Sequence, residues 1–262
     1  MIDVPLGPDR LHQARAGAAA DARSTRFCLT LLVTLVLFAA TWTGQAPARS
    51  VTTAAVKPTQ KVAALQSAHA AFSKPTEDSA LLETLQARRP LTGVRTMLPV
   101  LGDSAGADGI GWLHVRLPGR PNGRTGWIRQ RGTVASTTSW HIVVSTSRRR
   151  VTVYRNGRPM RTVKAVVGKL STPTPRGTFF VEEVIQLRAT DTGAPFALAL
   201  SARSNVLQEF DGGPGQIGLH GLSNVGGVLG SAVSHGCVRL ANATMRWLVL
   251  RIGPGVPVTI TA

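Results

Sequence analysis

The sequence predicts a mostly β protein, and three observations carry that reading. Short stretches alternate apolar and polar residues, as in Trp112-Leu113-His114-Val115-Arg116-Leu117. Two Asn-Gly pairs, at 122–123 and 156–157, fall between such runs, where they favour tight hairpins. The 27 glycines and 16 prolines cut the rest into short pieces. They leave one helix-like stretch near the C-terminus, 242–252, and one continuous apolar stretch near the N-terminus.

Residues 1–26 form a long leading region with Arg10, Arg15, Arg23 and Arg26. Residues 27–45, built on the uncharged run FCLTLLVTLVLFAATW, read as an N-terminal apolar helix: a signal anchor or the core of a signal peptide. Ala46-Pro47-Ala48 offers a cleavage pattern, whereas Trp42 and the long leading region favour a retained membrane anchor. Either way, the chain beyond about residue 49 is expected outside the cytoplasm, anchored to the membrane or released into the cell envelope. Residues 49–79, rich in Ala, Thr, Ser, Lys and Pro, read as a flexible linker. Residues 80–135 read as a small β-barrel, with a hairpin turn at Asn122-Gly123. Trp112 and Trp127 are expected to fill its core rather than line a groove. From 139 to 262 a second β-rich domain follows, with strands near 141–146, 150–155, 159–167 and 178–186. A short helix at 242–252, with Asn242 as its N-cap, precedes a terminal strand.

The formal charge is +17, from 30 Lys and Arg against 13 Asp and Glu. Such a surplus attracts anionic partners such as wall polymers or lipid head groups. Nucleic acid is not expected as a partner. There is no zinc-finger spacing, RNP pattern or continuous basic helix, and aromatics make up only 5% of the chain.

The two cysteines are Cys28, inside the apolar run, and Cys237. They cannot pair across a membrane, so the exported part carries a lone thiol, a liability in an oxidising compartment unless buried or used. A free thiol ionises near about 8.5, so it needs a base to become a nucleophile at neutral pH. His235 stands two residues before Cys237, and His220 comes from a segment outside the local turn. Both are candidate bases on spacing alone. Gly236 keeps the backbone before the thiol bare, so that amides there are able to face a developing oxyanion. His220, His235 and Cys237 are also zinc-ligand types, but no fourth ligand or C-x-x-C spacing accompanies them, and no metal or cofactor is expected.

The stretch LHG, a Gly-rich loop and SHGCVRL, with fourteen residues from Gly221 to Ser234 between the two histidines, is similar to the signature of the L,D-transpeptidase catalytic domain. STPTPRGTFF at 171–180 resembles the loop-and-strand stretch upstream in that family. The resemblance covers 139–262. It implies a thiol enzyme that cross-links peptidoglycan stem peptides through a thioester on Cys237. His220 would be the general acid/base, and the Gly221 carbonyl would orient it. His235, Gly236, Ser234 and Arg239 would shape the substrate and oxyanion site. Many members carry Asn where Arg239 stands, so substrate contact at that position is open. Carbapenem-type inhibitors, which imitate the acyl donor, are implied as ligands. Two alternatives remain: an L,D-carboxypeptidase or hydrolase using the same site with water as acceptor, and a non-catalytic wall-binding protein. The 80–135 region resembles the Src-homology-3-like module found ahead of catalytic domains in bacterial wall enzymes.

Overall fold

The computed structural model describes residues 55–106, 109–210 and 212–262. The expected leading region and apolar helix, with Cys28, lie outside the described residues. No helix among the described residues is long and apolar enough to cross a membrane.

The first sheet has seven strands: β1 Gln60–Leu65, β2 His69–Phe72, β3 Leu81–Leu85, β4 Met97–Ala105, β5 Gly111–Arg116, β6 Thr125–Arg129 and β7 Thr133–Thr138. Their order is β3-β2-β6-β5-β4-β1-β7. The flexible linker expected at 49–79 is therefore corrected, because it contributes two strands. β1 lies between β4 and β7 and ends in four consecutive buried residues, Val62 to Leu65. Its Ala63 and Ala64 read as linker composition but allow close approach on both faces. Trp112 is fully buried, as expected of a core residue, while the partly buried Trp127 stacks on His114 at 4.7 Å. The expected tight turn at Asn122-Gly123 is a longer connection, 117–124, with a cis Arg120-Pro121 bond.

Only Ser139 separates the first sheet from the second. That sheet contains β8 Trp140–Ser145, β9 Arg150–Arg155, β10 Arg158–Lys164, β12 Gly177–Gln186, β13 Phe196–Arg203, β14 Gln216–His220, β16 Val238–Arg239 and β17 Pro257–Thr261. β11 Val167–Gly168 and β15 Ala232–Ser234 pair beside it, and the helix α1 spans Asn242–Val249. The order is β10-β9-β8-β17-β12-β13-β14-β16, with β17 parallel to β8 and β16 parallel to β14. Asn156 and Gly157, both at positive φ, turn β9 into β10, as their sequence predicts. Asn242 does not cap α1; Ala241 holds that place without a side-chain bond.

The two sheets share more than a boundary. Side chains alternate along a strand, so Phe179 of β12 enters the core of the second sheet while Phe180 enters that of the first. Next along the strand, Glu182 and Glu183 are buried at 2% and 1% exposure. Glu182 pairs with Arg89 from the first sheet's side and with Arg203 at 3.1 Å. Glu183 accepts bonds from the Thr92 amide and hydroxyl at 2.9 and 2.8 Å. Removing one member of such a cluster strands its partners' charge away from water. Glu182→Ala should therefore lower the unfolding free energy by about 3–5 kcal/mol. Urea unfolding followed by tryptophan fluorescence measures this, and a loss under about 1 kcal/mol would show the cluster to be dispensable.

Candidate active site

The site is built where β14 lies parallel to β16. Leu219 pairs with Val238 and His220 with Arg239, so the register sets Gly218 beside Cys237. The Gly218 N–H donates to Cys237 Sγ at 3.4 Å, and Sγ lies 3.9 Å from the Gln216 carbonyl. His220 is two residues along from Gly218 and therefore on the same face of β14. The sequence-predicted pair of thiol and non-local histidine is thus brought onto two adjacent strands.

His220 Nδ1 lies 2.9 Å from the Gly221 carbonyl. A carbonyl only accepts, so Nδ1 carries the proton and Nε2 is left with its lone pair. Burial pushes the His220 pKa down; the Gly221 carbonyl opposes this, and the Arg239 cation adds to it. The Cys237 thiol is pushed up by burial, against the Gly218 N–H and Arg239, which favour the thiolate. Both shifts favour a neutral thiol and a neutral imidazole rather than a standing ion pair. Reaction with a small alkylating reagent requires the thiolate and so rises with pH through the thiol pKa. Iodoacetamide labelling of Cys237, read by mass, should have its midpoint above the ordinary value of about 8.5. A midpoint near neutrality would indicate a preformed thiolate–imidazolium pair.

The turn from His235 to Cys237 is fixed from beneath. Ser234 is fully buried; its hydroxyl donates to the Cys237 carbonyl at 2.6 Å and accepts the Gly236 N–H at 3.1 Å. The expected substrate contact for Ser234 is corrected: its hydroxyl is enclosed within the turn. The Gly236 amide, expected to face an oxyanion, is likewise turned to Ser234. Gly236 itself, at φ +123, takes a backbone shape that other residues resist. Thr172 Oγ1 donates to the Ser234 carbonyl at 3.2 Å, and Thr174 Oγ1 to the Gly236 carbonyl at 2.8 Å. The proline-flanked threonines of 171–180 thus form a cradle for the cysteine turn.

His235 is exposed, and its ring lies 5.5 Å from that of Phe210. Arg239 is 9% exposed and donates from Nη1 to the Gly226 carbonyl, so it orders the Gly-rich loop from below.

Three contributors escaped the sequence reading. Gly193, at φ +84, packs so tightly on His220 that a Cβ there would lie 2.3 Å from Nδ1. Its carbonyl accepts the Gly221 N–H at 2.7 Å. Asn242 spends its side chain on the same loop, accepting from Leu222 N at 2.8 Å and donating to Ser223 Oγ at 2.8 Å. Phe210 is the third. Only the DTGAP turn signal around Gly193 hinted at any of them. A cavity of about 890 Å³ lies elsewhere, on the first sheet beside Lys61, Leu113 and Arg131, and no thiol or imidazole lines it.

A thiol facing an amide donor, with an imidazole on the same face of the neighbouring strand whose Nε2 keeps its lone pair, is suited to acyl transfer through a thioester. Residues 139–260 match a family model described as the L,D-transpeptidase catalytic domain. A Bacillus subtilis protein named as a candidate L,D-transpeptidase, YkuD, is 33% identical over 127 residues, which cover 47% of this chain and 67% of that protein. L,D-transpeptidase 3 from Mycobacterium tuberculosis, in complex with a faropenem-derived adduct, aligns with a TM-score of 0.41 at 15% identity. The alignment covers 64% of this chain and 91% of that one. The catalytic domain of the E. faecium L,D-transpeptidase acylated by ertapenem aligns at 0.35 and 22% identity, over 46% and 95%.

Proposed function

From the premise that the chain belongs to the L,D-transpeptidase family, we propose that Cys237 is its nucleophile, His220 its general acid/base and Gly221 the backbone that orients the imidazole. The observation that carries this is the Nδ1–Gly221 bond, which commits the imidazole to accept a proton at Nε2. In the first half-reaction the thiol proton passes to Nε2 as sulfur attacks the carbonyl that precedes a terminal D-alanine in a donor stem peptide. The Cys237 amide stabilises the oxyanion. The tetrahedral intermediate collapses by expelling the D-alanine amine, which leaves with the proton from Nε2, and a thioester remains on Sγ. In the second half-reaction an amine of a neighbouring stem attacks the thioester and gives its proton to Nε2. The new amide is released and the proton returns to sulfur.

The positive charge of the chain serves to hold the enzyme on anionic wall polymers, and its substrate places it outside the cytoplasm, tethered by the apolar run at 27–45 or released from it. Carbapenem-type antibiotics, which imitate the acyl donor, acylate the same thiol.

Mass spectrometry of the muropeptides formed by the purified protein tests the reading. Cross-linked dimers with loss of one D-alanine are expected. Shortened monomers alone would make it a hydrolase of the same class, and unchanged muropeptides would leave a wall-binding protein.

A further inference from the structure

Arg120 belongs to the first sheet's connection 117–124, outside the catalytic region, yet its guanidinium is spent on the second sheet. Nη2 donates to the carbonyls of Ser204 and Leu207 at 2.9 and 2.8 Å, and Nη1 to that of Pro214 at 2.9 Å. These three carbonyls lie on the two limbs that connect β13 to β14. Ser204 N also donates to the Gly215 carbonyl at 2.8 Å, closing the neck of the connection at the same place. Asn122, two residues on, grips the end of β13: its Oδ1 accepts from Arg203 N at 2.8 Å and its Nδ2 donates to Arg203 O at 2.7 Å.

Both limbs lead to the site. From the first, Phe210 reaches the ring of His235, itself two residues from Cys237; the phenyl group remains 50% exposed. Phe210 and Gly213 exchange backbone bonds of 2.9 and 3.0 Å, which fixes where that ring stands. From the second, the chain passes through Gly215 into Gln216, whose carbonyl faces Sγ. The guanidinium packs so closely that a Cβ on Gly215 would lie 3.1 Å from Nη2 and 2.1 Å from the Leu207 carbonyl.

We propose that Arg120 is a positioning residue for the acyl-donor side of the site, acting through Phe210: the first sheet is part of the transpeptidase machinery because it sets the wall against which the donor binds. Three carbonyls gathered by one planar cation are a task for arginine, since its fork donates in fixed directions, whereas a lysine ammonium is a point donor. Without the fork, segment 204–210 loses its anchor and Phe210 leaves His235. The donor then meets a wall that must be ordered on binding, which weakens affinity more than the chemical step.

The proposal rests on Cys237 being the nucleophile. Its test is the rate of carbapenem acylation of the full chain, followed by intact mass over a concentration series, together with the thermal midpoint. Arg120→Ala should raise the half-saturating concentration by about tenfold, the scale of one or two lost hydrogen bonds, and leave the limiting rate within about twofold. Phe210→Ala should do the same, and the double variant should be no worse than either alone, as expected of residues acting in series. Arg120→Lys should recover part of the affinity, and it replaces Arg120→Ala if that variant does not fold. An unchanged half-saturation in the arginine variants, or effects of Arg120 and Phe210 that multiply, overturns the proposal. Failure of the wild-type chain to be acylated overturns instead the assignment of Cys237.

Discussion

Replacing Cys237 with alanine should abolish carbapenem acylation completely, and replacing His220 with alanine should slow it by about 10²–10⁴, the usual scale for a lost general base. The first effect is absolute because no other cysteine is present beyond Cys28. The second is large because the thiol is pushed up by burial, so little thiolate stands ready without a proton acceptor. His235→Ala should cost less. Its ring is exposed and rests on Phe210, which suits it to meeting the donor rather than taking the proton. Intact-mass kinetics on the three variants decide the matter. Wild-type labelling of Cys237→Ala would remove the nucleophile assignment, and a greater loss in His235→Ala than in His220→Ala would exchange the two histidines.

Gly193→Ala should be almost as damaging, although Gly193 carries no chemistry. The new methyl would fall 2.3 Å from His220 Nδ1. The backbone of Gly193 cannot retreat easily, because its N–H donates to the Ser223 carbonyl at 2.8 Å and its carbonyl holds the Gly221 N–H. The ring must therefore move and give up the Gly221 carbonyl. A displacement of about 1 Å in a catalytic group costs on the order of 10² in rate. The positive φ adds roughly 1–2 kcal/mol of backbone strain. Iodoacetamide alkylation, which does not need the imidazole, should be nearly unchanged while carbapenem acylation falls. Equal acylation rates for Gly193→Ala and wild type would show that the ring tolerates the methyl group.

What the sequence made legible was whatever depended on near neighbours. The Asn156-Gly157 hairpin was readable because positive φ at both positions is a property of those residues. The strands at 140–145 and 150–155 were readable from alternation, and the thiol with its two histidines from their spacing. What depended on distant packing was not. β1 hid behind an alanine-rich composition because its burial comes from β4 and β7, distant in sequence. The resemblance implied Ser234 and Gly236 as site groups, yet the Ser234 hydroxyl is taken up by the Gly236 N–H and the Cys237 carbonyl. Asn242 looked like a helix cap, but a loop twenty residues earlier claimed its amide. Gly193 shows the limit most sharply. Its role is only to be absent where an imidazole must lie, and no local pattern encodes that.

Phe179 and Phe180 send one strand's side chains into two cores, and this bears on how the molecule can be divided. The stretch that matches the family begins at 139, but β12 lies within it and still supplies Phe180 to the sheet that comes before. A fragment cut at the alignment edge would carry an orphaned phenylalanine, a Glu183 without Thr92, and a Glu182 that keeps Arg203 but has lost Arg89. The alignment edge is therefore a boundary of ancestry and not of cooperativity, and calorimetry on the intact chain should record the melting of both sheets as a single transition.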